Sequence, residues 1–159
     1  MIVTATSKVA FIGWGFGSAA LNFTGISGHT MLAAAVYPPL ISAIASGPSA
    51  RGRCLAIAAG CVLALLIGVS RLVLGTHSLS EVVAGWLAGG AVSLRVLASG
   101  ISVPGRLNVT ILGVAALWMT LTPATAPTLN THSLVTRVAL QLSGHQHPYT
   151  RRALLNRDE

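Results

Sequence analysis

Ser70-Arg71-Leu72-Val73-Leu74-Gly75-Thr76-His77-Ser78-Leu79-Ser80-Glu81 is the stretch on which the reading of this chain turns. It lies between two apolar segments, 54–69 and 82–99, and holds an arginine, a histidine and an acid within eleven positions. Glu81 is the only carboxylate before Asp158. Ionisable groups beside lipid are costly and mark function by default, so this stretch is where chemistry is expected. A second polar knot, Ser27-Gly28-His29, lies one apolar hairpin upstream.

The surroundings explain why polar groups stand out. The 159 residues are 53% hydrophobic and 8% charged, with a mean hydropathy of +0.74. Soluble domains are about a quarter charged, so the composition reads as a polytopic membrane protein. Four segments are apolar enough to cross a bilayer: 29–46, with Pro38-Pro39 in its middle, then 54–69, 82–99 and 107–121, the last ended by Pro123. Prolines are tolerated in a membrane helix when neighbours satisfy the freed carbonyls. Gly85, Gly89 and Gly90 suit close helix packing. Segment 9–23 is weaker and, with Gly13, Gly15 and Gly17, reads as half helix, half loop. The expected architecture is an all-α, polytopic transmembrane bundle of about five helices over residues 1–125, with an amphipathic or polar tail at 126–159.

Charge orients the bundle. Arg51 and Arg53 lie in one loop, Arg106 in another with Arg95 near it, and by the positive-inside rule both loops are cytoplasmic. Residues 24–27 and 70–81 then fall together on the opposite face, so the two polar clusters can meet. In the tail, Leu134, Val135, Val138, Ala139 and Leu142 form a one-sided stripe that suits a short interfacial helix. Arg151, Arg152 and Arg157 go against the charge rule if 107–121 crosses. Either that segment does not fully cross or the tail lies along a surface. The net charge of +7 is assigned to topology and phosphate contact, not to nucleic acid. Cys54 and Cys61, seven apart on one helix, are about 10 Å apart along its axis, too far to bridge, and read as packing residues. No cleavable signal peptide is visible, since Lys8 comes too late for a charged leader start.

His77 and Glu81 are i and i+4, on one helical face. A carboxylate on one imidazole nitrogen fixes the tautomer and leaves the other free as nucleophile or base. Arg71 offers a planar fork of donors to a phosphate. Ser27-Gly28-His29 precedes a helix, whose unpaired N–H groups favour an anion. Two histidines, an arginine, a carboxylate and a helix start on one face suit phosphoryl transfer without metal or other cofactor. Singly, each residue has a plainer role. Ser78-x-x-Glu81 is also a capping box, His29 a satisfied interfacial histidine, Arg71 a membrane-edge arginine and Ser27 an N-cap. A metal site from His29, His77 and Glu81 lacks a zinc-motif spacing. Gly13-x-Gly15-x-Gly17 lacks the strand and downstream acid of a nucleotide fingerprint. Ser143-Gly144-His145 has no apolar helix after it and reads as a coincidental repeat.

Taken jointly, Ser70-Arg71, five residues, His77, three residues and an acid resemble the third signature of the type 2 phosphatidic acid phosphatase and haloperoxidase superfamily, in its membrane-bound phosphatase branch. Ser27-Gly28-His29 is similar to the second signature, and the resemblance covers about residues 8–90. It implies a lipid phosphatase. His77 would be the nucleophile forming a phospho-histidine, Glu81 would orient it, and His29 would protonate the leaving oxygen. Arg71, Lys8, Ser27, Gly28 and Ser70 would hold the substrate phosphate, with no metal. The implied partner is a phosphorylated lipid at the outer face of a bacterial cytoplasmic membrane. Three departures stand out: Gly15-Phe16 where the first signature has Arg-Pro, Ile26 where a Pro is common, and Glu81 where Asp is usual. Family members also usually carry helices before the first signature, so the chain reads as shortened or mis-started. The alternative is a non-catalytic membrane protein, either a degenerate relative or a small structural or transport bundle.

Overall fold

The computed structural model describes residues 2–45, 49–99 and 131–156. Six helices run along them: α1 (Ile2–Trp14), α2 (Gly28–Ala45), α3 (Ala50–Val73), α4 (Leu79–Ala98), α5 (Thr131–Ser143) and α6 (Arg151–Leu155). Among the described residues there is no strand, only an isolated bridge between Ser18 and Phe23. The chain is thus mostly helical. The expected segment 107–121 lies outside the described residues.

α2, α3 and α4 form one packed group. Its centre is thin: Ala33, Ala34 and Ala64 are buried, with Tyr37, Ile67 and Trp86 packed around them. Small residues let the backbones approach. A Cβ on Gly60 would stand 2.5 Å from Pro38 Cα, and one on Gly85 would stand 2.8 Å from the Ser27 carbonyl oxygen. A Cβ on Gly89 would collide with the Met31 carbonyl, whereas Gly90 faces open space. Two of the three glycines expected to pack closely therefore do so. Pro38 and Pro39 lie inside α2, and the α3 glycine at position 60 is what receives the Pro38 ring.

α3 opens on Ser49, whose side chain accepts the Gly52 N–H at 3.1 Å. With 24 residues it extends about 36 Å, and α4 with 20 about 30 Å. These two helices are long and apolar enough to cross a bilayer. Their apolar side chains largely face outward, with Leu55, Leu66, Leu87 and Leu94 all exposed. Cys54 is also exposed, so it does not pack inside, while Cys61 is half-buried, and both thiols are free.

α1 begins earlier than segment 9–23, whose first part is helix and whose remainder is loop, in line with the half-helix, half-loop reading. It stops at Trp14, where the next residue, Gly15, takes φ +70; the following loop turns again with positive φ at Asn22 and Gly25. Its 13 residues reach about 20 Å, short of a bilayer. The tail stripe is indeed helical, as α5, but its centre is covered by protein. Ala139 is buried with Phe11, Ile12 and Leu154, and its carbonyl oxygen stands 3.0 Å from where a Gly13 Cβ would be. Val138 and Leu142 remain exposed. The tail therefore docks on α1.

Two ends result. Arg53 Nη2 donates to the Leu97 carbonyl at 3.3 Å, joining the start of α3 to the end of α4. At the opposite end, Ser27 N–H donates to the Glu81 carbonyl at 3.1 Å, and the Ser80 hydroxyl donates to the Leu21 carbonyl at 2.7 Å. The two polar clusters meet there.

Candidate active site

α3 ends at Val73, and the chain reaches α4 through a short turn. Gly75 takes φ +63 in it. Thr76 donates its N–H at 3.2 Å and its hydroxyl at 3.1 Å to the Arg71 carbonyl. This turn sets His77 beside the first turn of α4, where Glu81 is 1% exposed.

A buried carboxylate is tolerable only when paired and hydrogen-bonded, and Glu81 is both. Its Oε2 meets His77 Nδ1 at 2.8 Å and accepts the Ser78 N–H at 3.3 Å. Its Oε1 accepts the Thr24 N–H at 2.8 Å and the Thr24 hydroxyl at 2.5 Å. Arg151 Nη2 donates to the same oxygen at 2.6 Å. One carboxylate thus caps α4 and also bonds the imidazole. With Nδ1 engaged, Nε2 is the ring nitrogen left for chemistry.

His77 lines a cavity of about 430 Å³ together with Lys8, Gly28 and His29, and with Ile26 and Leu32 as apolar wall. His29 is exposed at the start of α2, with Arg71, His77 and Lys8 as its electrostatic neighbours. Arg71, in the last turn of α3, has a buried Nε with no hydrogen-bond partner. An orphaned buried donor costs about 1–3 kcal/mol, so this N–H is free to meet an acceptor. Among the described residues no three His, Cys, Asp or Glu side chains are grouped to hold an ion.

Three expected phosphate contacts, Arg71, Ser27 and Ser70, are not in the cavity wall; Arg71 is placed near it only as an electrostatic neighbour of His29. Ser27 is fully buried and its hydroxyl pairs with Thr30 Oγ1 at 2.9 Å. The Ser70 hydroxyl donates to the Ile67 carbonyl at 2.7 Å, along its own helix. Sequence reasoning missed Thr24 and Arg151. No pattern marks Thr24. Arg151 carried a signal, since it broke the charge rule and the chain held one internal acid in need of a cation.

A model of the PAP2 superfamily matches residues 4–100. The chain belongs to the PAP2 superfamily. The matched span takes in α1 from Thr4 onward, all of α2 to α4, and every residue of the cavity named above. The chain is also 37% identical over 153 residues to an uncharacterized 22.5 kDa protein in the cps region of Klebsiella pneumoniae, covering 94% of this chain and 73% of that one. No solved structure matches it. Membership in the PAP2 superfamily points to phosphatase chemistry on a phosphorylated substrate. The Arg-Pro of the first signature is absent here, and a Cβ on Gly15 would stand 3.1 Å from the Tyr149 ring.

Proposed function

We propose that this protein is an integral membrane phosphatase that hydrolyses a phosphate ester or diphosphate on a membrane lipid through a phospho-histidine, without metal. The observation that carries the reading is the His77–Glu81 pair at 2.8 Å, set at a cavity shared with His29 and Lys8.

In the first step, His77 Nε2 attacks phosphorus and forms an N–P bond. The P–O bond to the lipid breaks, and protonated His29 gives its proton to the leaving oxygen. In the second, His29 takes a proton from water, the water oxygen attacks phosphorus, the N–P bond breaks and inorganic phosphate leaves. Glu81 stabilises the positive charge that appears on the His77 ring. The orphaned Arg71 Nε–H, the Lys8 ammonium and the N–H groups of the first turn of α2 at Gly28 stabilise the phosphoryl oxygens. Ser27 supports this arrangement through its N–H, which donates to the Glu81 carbonyl.

The lipid assignment rests on outward-facing apolar side chains of α3 and α4 and on the apolar wall of the cavity at Ile26 and Leu32. Arg51, Arg53 and Arg95 gather at the other end of the bundle, which favours a site on the outer face of a bacterial cytoplasmic membrane. The competing reading, a non-catalytic relative, is favoured by Gly15-Phe16 in place of Arg-Pro. Phosphate release by purified protein in detergent, from phosphatidate, phosphatidylglycerophosphate, a polyprenyl diphosphate and a lipid A phosphate, separates the two. Release from at least one is expected of the enzyme, and none from any of them is expected of the degenerate relative.

A further inference from the structure

We infer that the C-terminal segment completes the active site, with Arg151 as a positioning residue that holds Glu81 so that its Oε2 faces His77. The kinetic part of this inference rests on the phosphatase reading above, whereas the structural part does not.

Five donors converge on Glu81: the Thr24 N–H and hydroxyl, His77, the Ser78 N–H and Arg151. A carboxylate offers about four lone-pair sites, so this one is saturated and cannot turn without breaking several bonds. Arg151 is the only cation among the donors that is charged whatever the state of His77. Without it, a neutral His77 would leave Glu81 as an uncompensated buried charge, which is strongly unfavourable. Arg151 Nη2 also lies 3.0 Å from Thr24 Oγ1, so it buttresses the Thr24 hydroxyl as well as the carboxylate.

Arg151 is itself held. The Tyr149 N–H donates to the Ile12 carbonyl at 3.0 Å, and His145 Nδ1 lies 2.9 Å from the Gly13 carbonyl oxygen. Leu154 is buried against Phe11 and Ile12. The Tyr149 ring fills the space beside Gly15, where a Cβ would stand 3.1 Å from it. Gly15 also has φ +70, a conformation that side chains disfavour. The departure from the first signature and the docking of the tail are therefore one feature. Where that signature has an arginine, this chain has a seat for Tyr149, and two residues later a guanidinium enters from the other end of the sequence. Arg151 Nη2 is engaged by Glu81 Oε1 and Thr24 Oγ1, whereas Arg71 Nε has no partner, so Arg151 acts through Glu81 and not on the phosphate.

Glu81 from α4 pairs with His77, His29 from α2 and Lys8 from α1 share its cavity, and Arg71 from α3 acts on the neighbouring His29. Removing Arg151 alone takes away one positive charge and favours the imidazolium. In the full-length protein in detergent, R151A should lower kcat about 10–100-fold, the range found when the partner behind a metal-bound histidine is lost, with KM little changed. The acidic limb of kcat/KM should move to higher pH, and R151K should bring it back. NMR titration of the His77 ring, assigned with H77N, reads the same shift without turnover: upward in R151A and restored in R151K. A second variant, G15V, keeps Arg151 but unseats Tyr149, and should reproduce the R151A shift. An unmoved His77 titration in both folded R151A and folded G15V would overturn the inference. So would a KM rise at constant kcat, which would make Arg151 a phosphate ligand. If R151A does not fold, R151Q and G15V carry the same test. A wild-type protein inactive on every phosphate, but with the His77 shift intact, would sink the phosphatase reading and leave the strap standing.

Discussion

Glu81→Gln keeps the side-chain shape and removes the charge, and the geometry sets the size of its effect. Three donors meet Oε1, namely the Thr24 N–H, the Thr24 hydroxyl and Arg151. A Gln must turn its carbonyl oxygen towards them, because its NH₂ cannot accept. The NH₂ then faces His77 Nδ1, which stands 2.8 Å from that position. His77 Nδ1 must accept, so the ring proton moves to Nε2, the nitrogen assigned to attack phosphorus. The variant thus holds the nucleophile in the wrong tautomer and also loses the charge that stabilises the imidazolium. In a serine-protease triad the equivalent acid-to-amide change lowers kcat about 10⁴-fold, or roughly 5 kcal/mol of barrier, and a loss of that order is expected here. Fold should persist, since only the Ser78 N–H loses its acceptor outright, at about 1–3 kcal/mol. The assay is kcat for phosphate release alongside circular dichroism and a melting curve. A folded Glu81→Gln protein within about tenfold of wild type, hence a barrier change of no more than about 1.4 kcal/mol, would refute the tautomer argument.

Other perturbations test other parts. His29→Ala should slow a lipid-alkoxide leaving group far more than p-nitrophenolate, because protonation matters most when the leaving oxygen is basic; equal loss on both substrates would remove His29 from the acid role. Activity should survive EDTA, and loss on chelation restored by Zn²⁺ or Mg²⁺ would move the site to a metal mechanism. Turnover should fall at low pH as the attacking imidazole is protonated, and a profile flat through the acid range would count against an imidazole nucleophile. Gly89→Val places a side chain against the Met31 carbonyl; overpacking of this kind costs about 1–3 kcal/mol or more, to be read as a lower melting temperature, while Gly90→Ala, facing open space, should melt near wild type.

Much of the site was legible because its groups are sparse. In a chain with one internal acid, the i, i+4 spacing of His77 and Glu81 nearly dictates their contact, and the 2.8 Å pairing follows from helix geometry. The meeting of the two clusters followed from alternating segments and from the arginines at the other end. The serines were harder. Ser27 and Ser70 sit in signature positions, but each hydroxyl finds a nearer partner, in Thr30 and in the Ile67 carbonyl, and local competition of that kind leaves no trace in spacing. The start of α1 was not legible, because Thr4, Thr6, Ser7 and Lys8 break the apolar pattern there, whereas the loop half of 9–23 was marked by its glycines. Arg151 pairs with a residue 70 positions away, and no periodicity connects them. Its only trace was a positive charge on the wrong side.

The central claim is a covalent intermediate on His77. The direct measurement is rapid quench of the protein with a ³²P-labelled lipid phosphate, followed by mapping of the labelled peptide. The account predicts an acid-labile, alkali-stable phosphoryl group on His77, attached through Nε2 because Nδ1 is held by Glu81, and its absence in His77→Ala together with turnover. Label on another residue, an Nδ1 linkage, or wild-type turnover by His77→Ala would contradict it.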